Sequence, residues 1–128
     1  MTGPAPAPTV RVLVVDDSVA FREAAHDLIE GVVGFVWIGE ACSGEDGVEQ
    51  TGRLRPDLVL MDVCMPGIGG IEAAAQIAAQ VMPPVVLLIT AAGLAADIPR
   101  GTATEILAKN RLSRESLIQL WEVHGHQS

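Results

Sequence analysis

The chain has 128 residues, a formal charge of −8, 49% apolar residues and only 3% aromatic ones. That length sustains one core without staples, since a domain near this size hides roughly two-thirds of its unfolded surface, and Val, Leu, Ile and Ala must fill it, as suits parallel strands covered by helices. An acidic balance with no Lys/Arg cluster excludes direct binding to nucleic acid or an anionic membrane and favours a cation or a basic partner.

Residues 1–9, MTGPAPAPT, lack the charged and apolar regions of a secretory signal and read as a disordered lead-in. VRVLVV at 10–15 is a strand buried on both faces that ends in Asp16 and Asp17. Ser18 is placed to cap a first helix, in which Phe21, Ala24, Ala25, Leu28, Ile29 and Val32 recur at helical spacing until Gly31 or Gly34 stops it. FVWIGEA at 35–41 is a second strand, and Ser43 with Asp46 resembles a capping box opening a helix to about Leu54. A third strand is predicted over 57–62, a third helix over 68–81 ahead of Pro83-Pro84, and a fourth strand, VVLLIT, over 85–90.

Between this strand and EILAK at 105–109, the segment AAGLAADIPRG holds Gly93, Pro99 and Gly101, which leave room for a stunted helix at most. Ser113 opens a last helix with Leu117, Leu120 and Trp121 on one face, and 125–128 is a tail. Alternating strands and helices predict a single three-layer α/β domain with a parallel sheet. The longest apolar run, near 85–96, is interrupted by Thr90 and Gly93 and is too short to span a bilayer. Cys42 and Cys64 have no CxxC spacing and read as reduced thiols of a cytoplasmic protein.

Ligands of open parallel sheets bind beyond the carboxyl ends of the strands. Those ends carry Asp16 and Asp17, Asp62, Thr90 and Lys109, each polar after an apolar run. Carboxylates gathered there either raise a pKa or hold a cation, and an all-oxygen set favours Mg²⁺. Lys109 is the only lysine of the chain and can meet a phosphoryl oxygen as a point charge, with Thr90 adding a hydroxyl. Asp62 is then the natural nucleophile for phosphoryl transfer. Singly, each residue has a plainer reading: Asp16-Asp17 as a helix cap, Asp62 as a turn entry, Thr90 as a strand former, Lys109 as a solvated side chain. Their joint placement on one sheet edge is what favours a site.

The stretches VLVVDDS, GEACSGEDGVE, RPDLVLMDVCMPGIGGIEA, VVLLITA and ILAK resemble, in order and nearly in spacing, the receiver domains of bacterial two-component response regulators, over about 10–123. The resemblance implies a flavodoxin-like, doubly wound sheet of order 2-1-3-4-5, with a receiver at 10–124. It implies Mg²⁺ held by Asp17, Asp62 and the backbone carbonyl of Cys64, Asp16 assisting through water, and Thr90 and Lys109 binding a phosphoryl group transferred to Asp62 from a kinase phosphohistidine. A sensor histidine kinase or phosphotransfer protein and a downstream protein target are the implied partners, with a phosphorylation-dependent homodimer through the last helix, near Trp121, as a further hypothesis. Because the sequence stops just after that helix, a stand-alone regulator is expected.

Three departures accompany the likeness. Ile106 stands where the family usually has an aromatic, Asn110 where it has a proline after a cis bond, and the gap between Thr90 and Lys109 is short. A cis bond before Asn110 would cost roughly 3–4 kcal/mol, so a trans bond is expected. Cys64 and Ala92 occupy positions that influence acyl phosphate lifetime in receivers. His26, His124 and His126 belong to no matched motif and are expected at the surface. The alternatives are a degenerate, unphosphorylated scaffold and a Mg²⁺-dependent hydrolase with an aspartate nucleophile; the latter wants a second Asp where Cys64 stands.

Overall fold

The computed structural model describes residues 9–91 and 103–125. Within them the chain runs β1 (Val10–Val15), α1 (Val19–Glu30), β2 (Phe35–Ala41), α2 (Gly44–Leu54), β3 (Leu58–Asp62), α3 (Gly69–Ala78), β4 (Val85–Thr90), β5 (Glu105–Ala108) and α4 (Arg114–His124). All five strands are parallel, in the order β2-β1-β3-β4-β5, the doubly wound sheet that the resemblance implies. The predicted lead-in and the stunted helix lie largely outside the described residues, as do Ala92 and His126.

Strand pleating divides the apolar residues between two cores. Val12, Val14, Leu58, Leu60, Leu87 and Ile89 face α1 and α4, meeting Ala25, Ile29, Leu117 and Leu120. Leu13, Val15, Val59, Met61, Val86 and Leu88 face α2 and α3, meeting Ala73, Ala74 and Ile77. With both faces covered, the central strands read as unbroken apolar runs, and alternation that would have assigned each residue to a face was invisible in sequence.

The helix starts follow their caps. Ser18 Oγ accepts the Phe21 amide at 3.2 Å, so Ser18, and neither acid before it, caps α1. Ser43 Oγ accepts the Asp46 amide at 3.1 Å, while the Asp46 carboxylate turns to Gln50, so only half of the expected box forms there. The reciprocal box occurs instead at α4, where Ser113 and Ser116 exchange both bonds. Trp121 packs inward, edge-on to Phe35 with ring centroids 6.5 Å apart, leaving Ile118 and Val123 as the exposed apolar residues of α4.

Several boundaries differ from expectation by one to three residues. Helix α3 stops at Ala78, three residues short of 81, and β3 begins at Leu58, just after Asp57, whose side chain accepts the Arg11 amide at 2.9 Å. Strand β5 ends at Ala108, and Lys109 opens a 3-10 turn through Arg111. The described peptide bonds are all trans, that before Asn110 included. Strand β2 carries a register shift opposite Val12 and Leu13, which sets Ile38 outside the pairing. His26 lies at the surface, its side chain 41% exposed, and His124 is half-buried; each meets an exposed carboxylate, Glu30 at 3.0 Å and Glu105 at 2.9 Å.

Gly70 shows how closely α3 is set against β3. A Cβ there would run into the carbonyl oxygen of Asp62 and the Cα of Val63, backbone atoms that have nowhere to go. In an exposed helix Gly→Ala would stabilise by roughly 1 kcal/mol. Here Gly70→Ala is expected to destabilise by about 2–3 kcal/mol, seen as a lower urea midpoint at unchanged slope.

Candidate functional site: an acidic cluster at the carboxyl edge of the sheet

Because all five strands run the same way, the residues that follow them collect on one edge. Asp16 leaves β1 fully buried: its amide donates to the Ala41 carbonyl at 3.0 Å, and its own carbonyl accepts Arg22 Nη1 at 2.6 Å. Arg22 also pairs with Glu40, so the ends of β1 and β2 are joined through the first turn of α1. One carboxylate oxygen of Asp16, Oδ1, accepts the Ser18 amide at 2.8 Å. The other, Oδ2, is buried without a hydrogen-bond partner among the described residues.

Asp62 ends β3, buried, with Oδ1 accepting the Cys64 amide at 3.4 Å. Asp17 is exposed, and one oxygen from each of Asp16, Asp17 and Asp62 lies within 4.8 Å of the other two. Lys109 Nζ stands 3.3 Å from Asp16 Oδ2, outside hydrogen-bonding alignment, and 3.8 Å from Asp62 Oδ2. Thr90 ends β4 opposite Ala108, its hydroxyl buried and without a partner among the described residues. The structure thus gathers Asp16, Asp17 and Asp62, with Lys109 beside Asp16 and Asp62, and sets Thr90 at the neighbouring strand end. Cys64 lies two residues beyond Asp62, its thiol free and exposed.

The electrostatics follow from this crowding. The Asp62 carboxyl is held above the ordinary carboxylate range, chiefly by burial and then by the negative charge of Asp16; Lys109 and the Cys64 amide pull it partly back, and Asp17 opposes them. Two acids buried side by side, with one oxygen lacking a hydrogen-bond donor, leave negative charge that a single lysine does not compensate. Such a donor set, oxygen throughout, accommodates a hard divalent cation.

Two side chains at this edge escaped the sequence reading. Phe21 and Arg22 were legible only as helix residues, Phe21 on the apolar face. The signal available was position: the first turn of a helix that starts at a strand's carboxyl end must border whatever that strand delivers. Phe21 does so with its ring face, the Lys109 ammonium standing 4.6 Å from its centroid. Glu45, in the first turn of α2, similarly reaches the loop after β3 and accepts the Ile68 amide at 3.4 Å.

Comparison with known proteins agrees with this geometry. The response regulator receiver domain family matches residues 12–120. The chain belongs to that family. This receiver is 34% identical over 115 residues to the protein-glutamate methylesterase/protein-glutamine glutaminase 2 of Methanosarcina mazei, covering 90% of this chain but 31% of that longer protein. Among solved structures, the signal receiver domain of NarL from Mycobacterium tuberculosis superposes with a TM-score of 0.82 at 28% identity, over 95% of this receiver and 100% of that chain. The CheX–CheY–BeF₃–Mg²⁺ complex of Borrelia burgdorferi gives a TM-score of 0.77 at 28% identity, covering 91% and 90%. Aspartyl phosphate and bound Mg²⁺ are typical of the family. Among the described residues, no helix of this receiver is long and apolar enough to cross a membrane.

Proposed function

We propose that this receiver takes a phosphoryl group onto Asp62 from a phosphohistidine of a sensor histidine kinase or phosphotransfer protein, and that the modified surface is read by another protein. The observation that carries this reading is the convergence of three carboxylates within 4.8 Å of one another, faced by the chain's sole lysine. Asp16, Asp17, Asp62 and the backbone carbonyl of Cys64 would hold the Mg²⁺, Asp16 through water, and the ion supplies neutralisation of phosphoryl charge. The BeF₃ and Mg²⁺ named for the CheY complex are consistent with such a site.

In the transfer, an Asp62 oxygen attacks phosphorus, a P–O bond forms as the P–N bond of the donor breaks, and the imidazole nitrogen leaves with the bonding pair. Lys109 offsets charge on the transferred group, and Thr90 donates its hydroxyl to a phosphoryl oxygen. The cycle is self-modification rather than turnover of a substrate, and a cytoplasmic setting suits both the donor and the free thiols. With acetyl phosphate and Mg²⁺ the intact mass is expected to rise by one phosphoryl group, and not to rise when a chelator removes the metal. An unchanged mass under both conditions would instead support the unphosphorylated scaffold.

A further inference from the structure

We infer that Phe21 is a positioning residue for Lys109, its ring face holding the ammonium in place over the carboxylates. The inference rests on the phosphoacceptor reading above, since that reading is what gives Lys109 a task.

Among the described residues, Lys109 has little else to fix it. It follows a four-residue strand at the edge of the sheet and opens a 3-10 turn, and a lysine stem has several rotatable bonds whose freedom resists a single pose. Its two ion pairs, at 3.3 and 3.8 Å, are not aligned hydrogen bonds, and its side chain is 37% exposed. The Phe21 ring, 4.6 Å from the nitrogen, lies within the roughly 6 Å range over which a ring face attracts a cation.

Phe21 is well placed for this. Its amide is held by the Ser18 cap at 3.2 Å, its side chain packs on the core beneath α1, and the next residue, Arg22, ties the helix to the ends of β1 and β2. The ammonium therefore sits between a fixed ring and the carboxylates. A ring also does what a fourth acid could not. Another carboxylate would draw the ammonium away from an incoming phosphoryl oxygen, whereas the ring's weaker, uncharged attraction lets the ammonium go to it.

The single lysine makes the test direct. In a carbon–proton spectrum of the labelled, donor-free protein, the Lys109 ε-methylene signal is expected upfield of its position in unfolded chain because of the ring current. It should return towards that position in Phe21→Leu, which keeps apolar bulk, and stay upfield in Phe21→Tyr. With acetyl phosphate and Mg²⁺, the phosphorylation rate is expected to fall about two- to tenfold in Phe21→Leu, the range of a partly exposed cation–π contact, and to recover in Phe21→Tyr. A wild-type ε signal at the unfolded position, or a Phe21→Leu rate equal to wild type, overturns the inference. Absence of phosphorylation in the wild type with the upfield signal present would instead overturn the phosphoacceptor reading and leave the contact established.

Discussion

Asp62→Asn is expected to abolish the phosphoryl mass gain and, at the same time, to make the metal-free receiver more stable at pH 7. The first effect follows because an amide oxygen is no nucleophile towards phosphorus. The second follows from the raised Asp62 pKa, caused by burial and by Asp16. An acid whose pKa is higher folded than unfolded stabilises the fold fully only below its unfolded value, near 3.8, and that contribution is lost as pH rises through the folded value. At neutral pH the buried charge is therefore a burden on the fold, and asparagine removes it while still offering Oδ1 to the Cys64 amide. The gain should appear as a higher melting temperature at pH 7 and should fade as pH approaches 3. Mg²⁺ should reverse the ranking, because a ligand bound only by the folded state stabilises it and the wild type binds more of it. Melting curves at pH 3.5 and pH 7, with and without Mg²⁺, check all of this; an Asn variant less stable than wild type at pH 7 without metal would contradict it.

Lys109→Met should separate catalysis from metal binding. Methionine keeps the apolar part of the stem but leaves Asp16 and Asp62 without the cation now 3.3 and 3.8 Å away. Phosphorylation by a small donor is expected to slow by about a hundredfold, the usual consequence of losing a group placed where transition-state charge gathers. Mg²⁺, in contrast, should bind several-fold more tightly by calorimetry, since the acids lose a competing positive charge. Without metal the protein should lose about 1–3 kcal/mol at pH 7, because Asp16 is then a buried charge with no counterion. Arginine at this position is not expected to restore the rate, its planar fork being a different shape from an ammonium. Mg²⁺ affinity that fell together with the rate would show that Lys109 organises the acids rather than competing for them.

Much of this was legible in the chain itself. Apolar runs ending in acid gave β1 and β3 and so placed Asp16, Asp17 and Asp62 on one edge; Thr90 and Lys109 followed by the same rule. Strand order was not derivable, because strands covered on both faces present the same Val- and Leu-rich surface to every neighbour, and only the resemblance supplied it. The Ile38 irregularity was hidden because FVWIGEA reads as an ordinary strand with or without one residue left over. Ser43 and Asp46 misled through side-chain length: aspartate is one methylene shorter than the glutamate that usually reaches back to the cap, and here it turns to Gln50. Phe21 was missed for a different reason. Its spacing satisfied the helical pattern so well that nothing in periodicity distinguished a residue filling the core from one that also borders the site.

The chain supplies the two signs of charge in the cluster from different parts of its length. The acids enter with β1 and β3, and Arg22 pins the first of them to β2, all within the first half of the sequence. The ammonium comes only with β5, the last strand to be added. A chain without β5 would keep the three acids and lose the ammonium that stands beside two of them, so the charge balance of the cluster is completed only at the edge of the sheet.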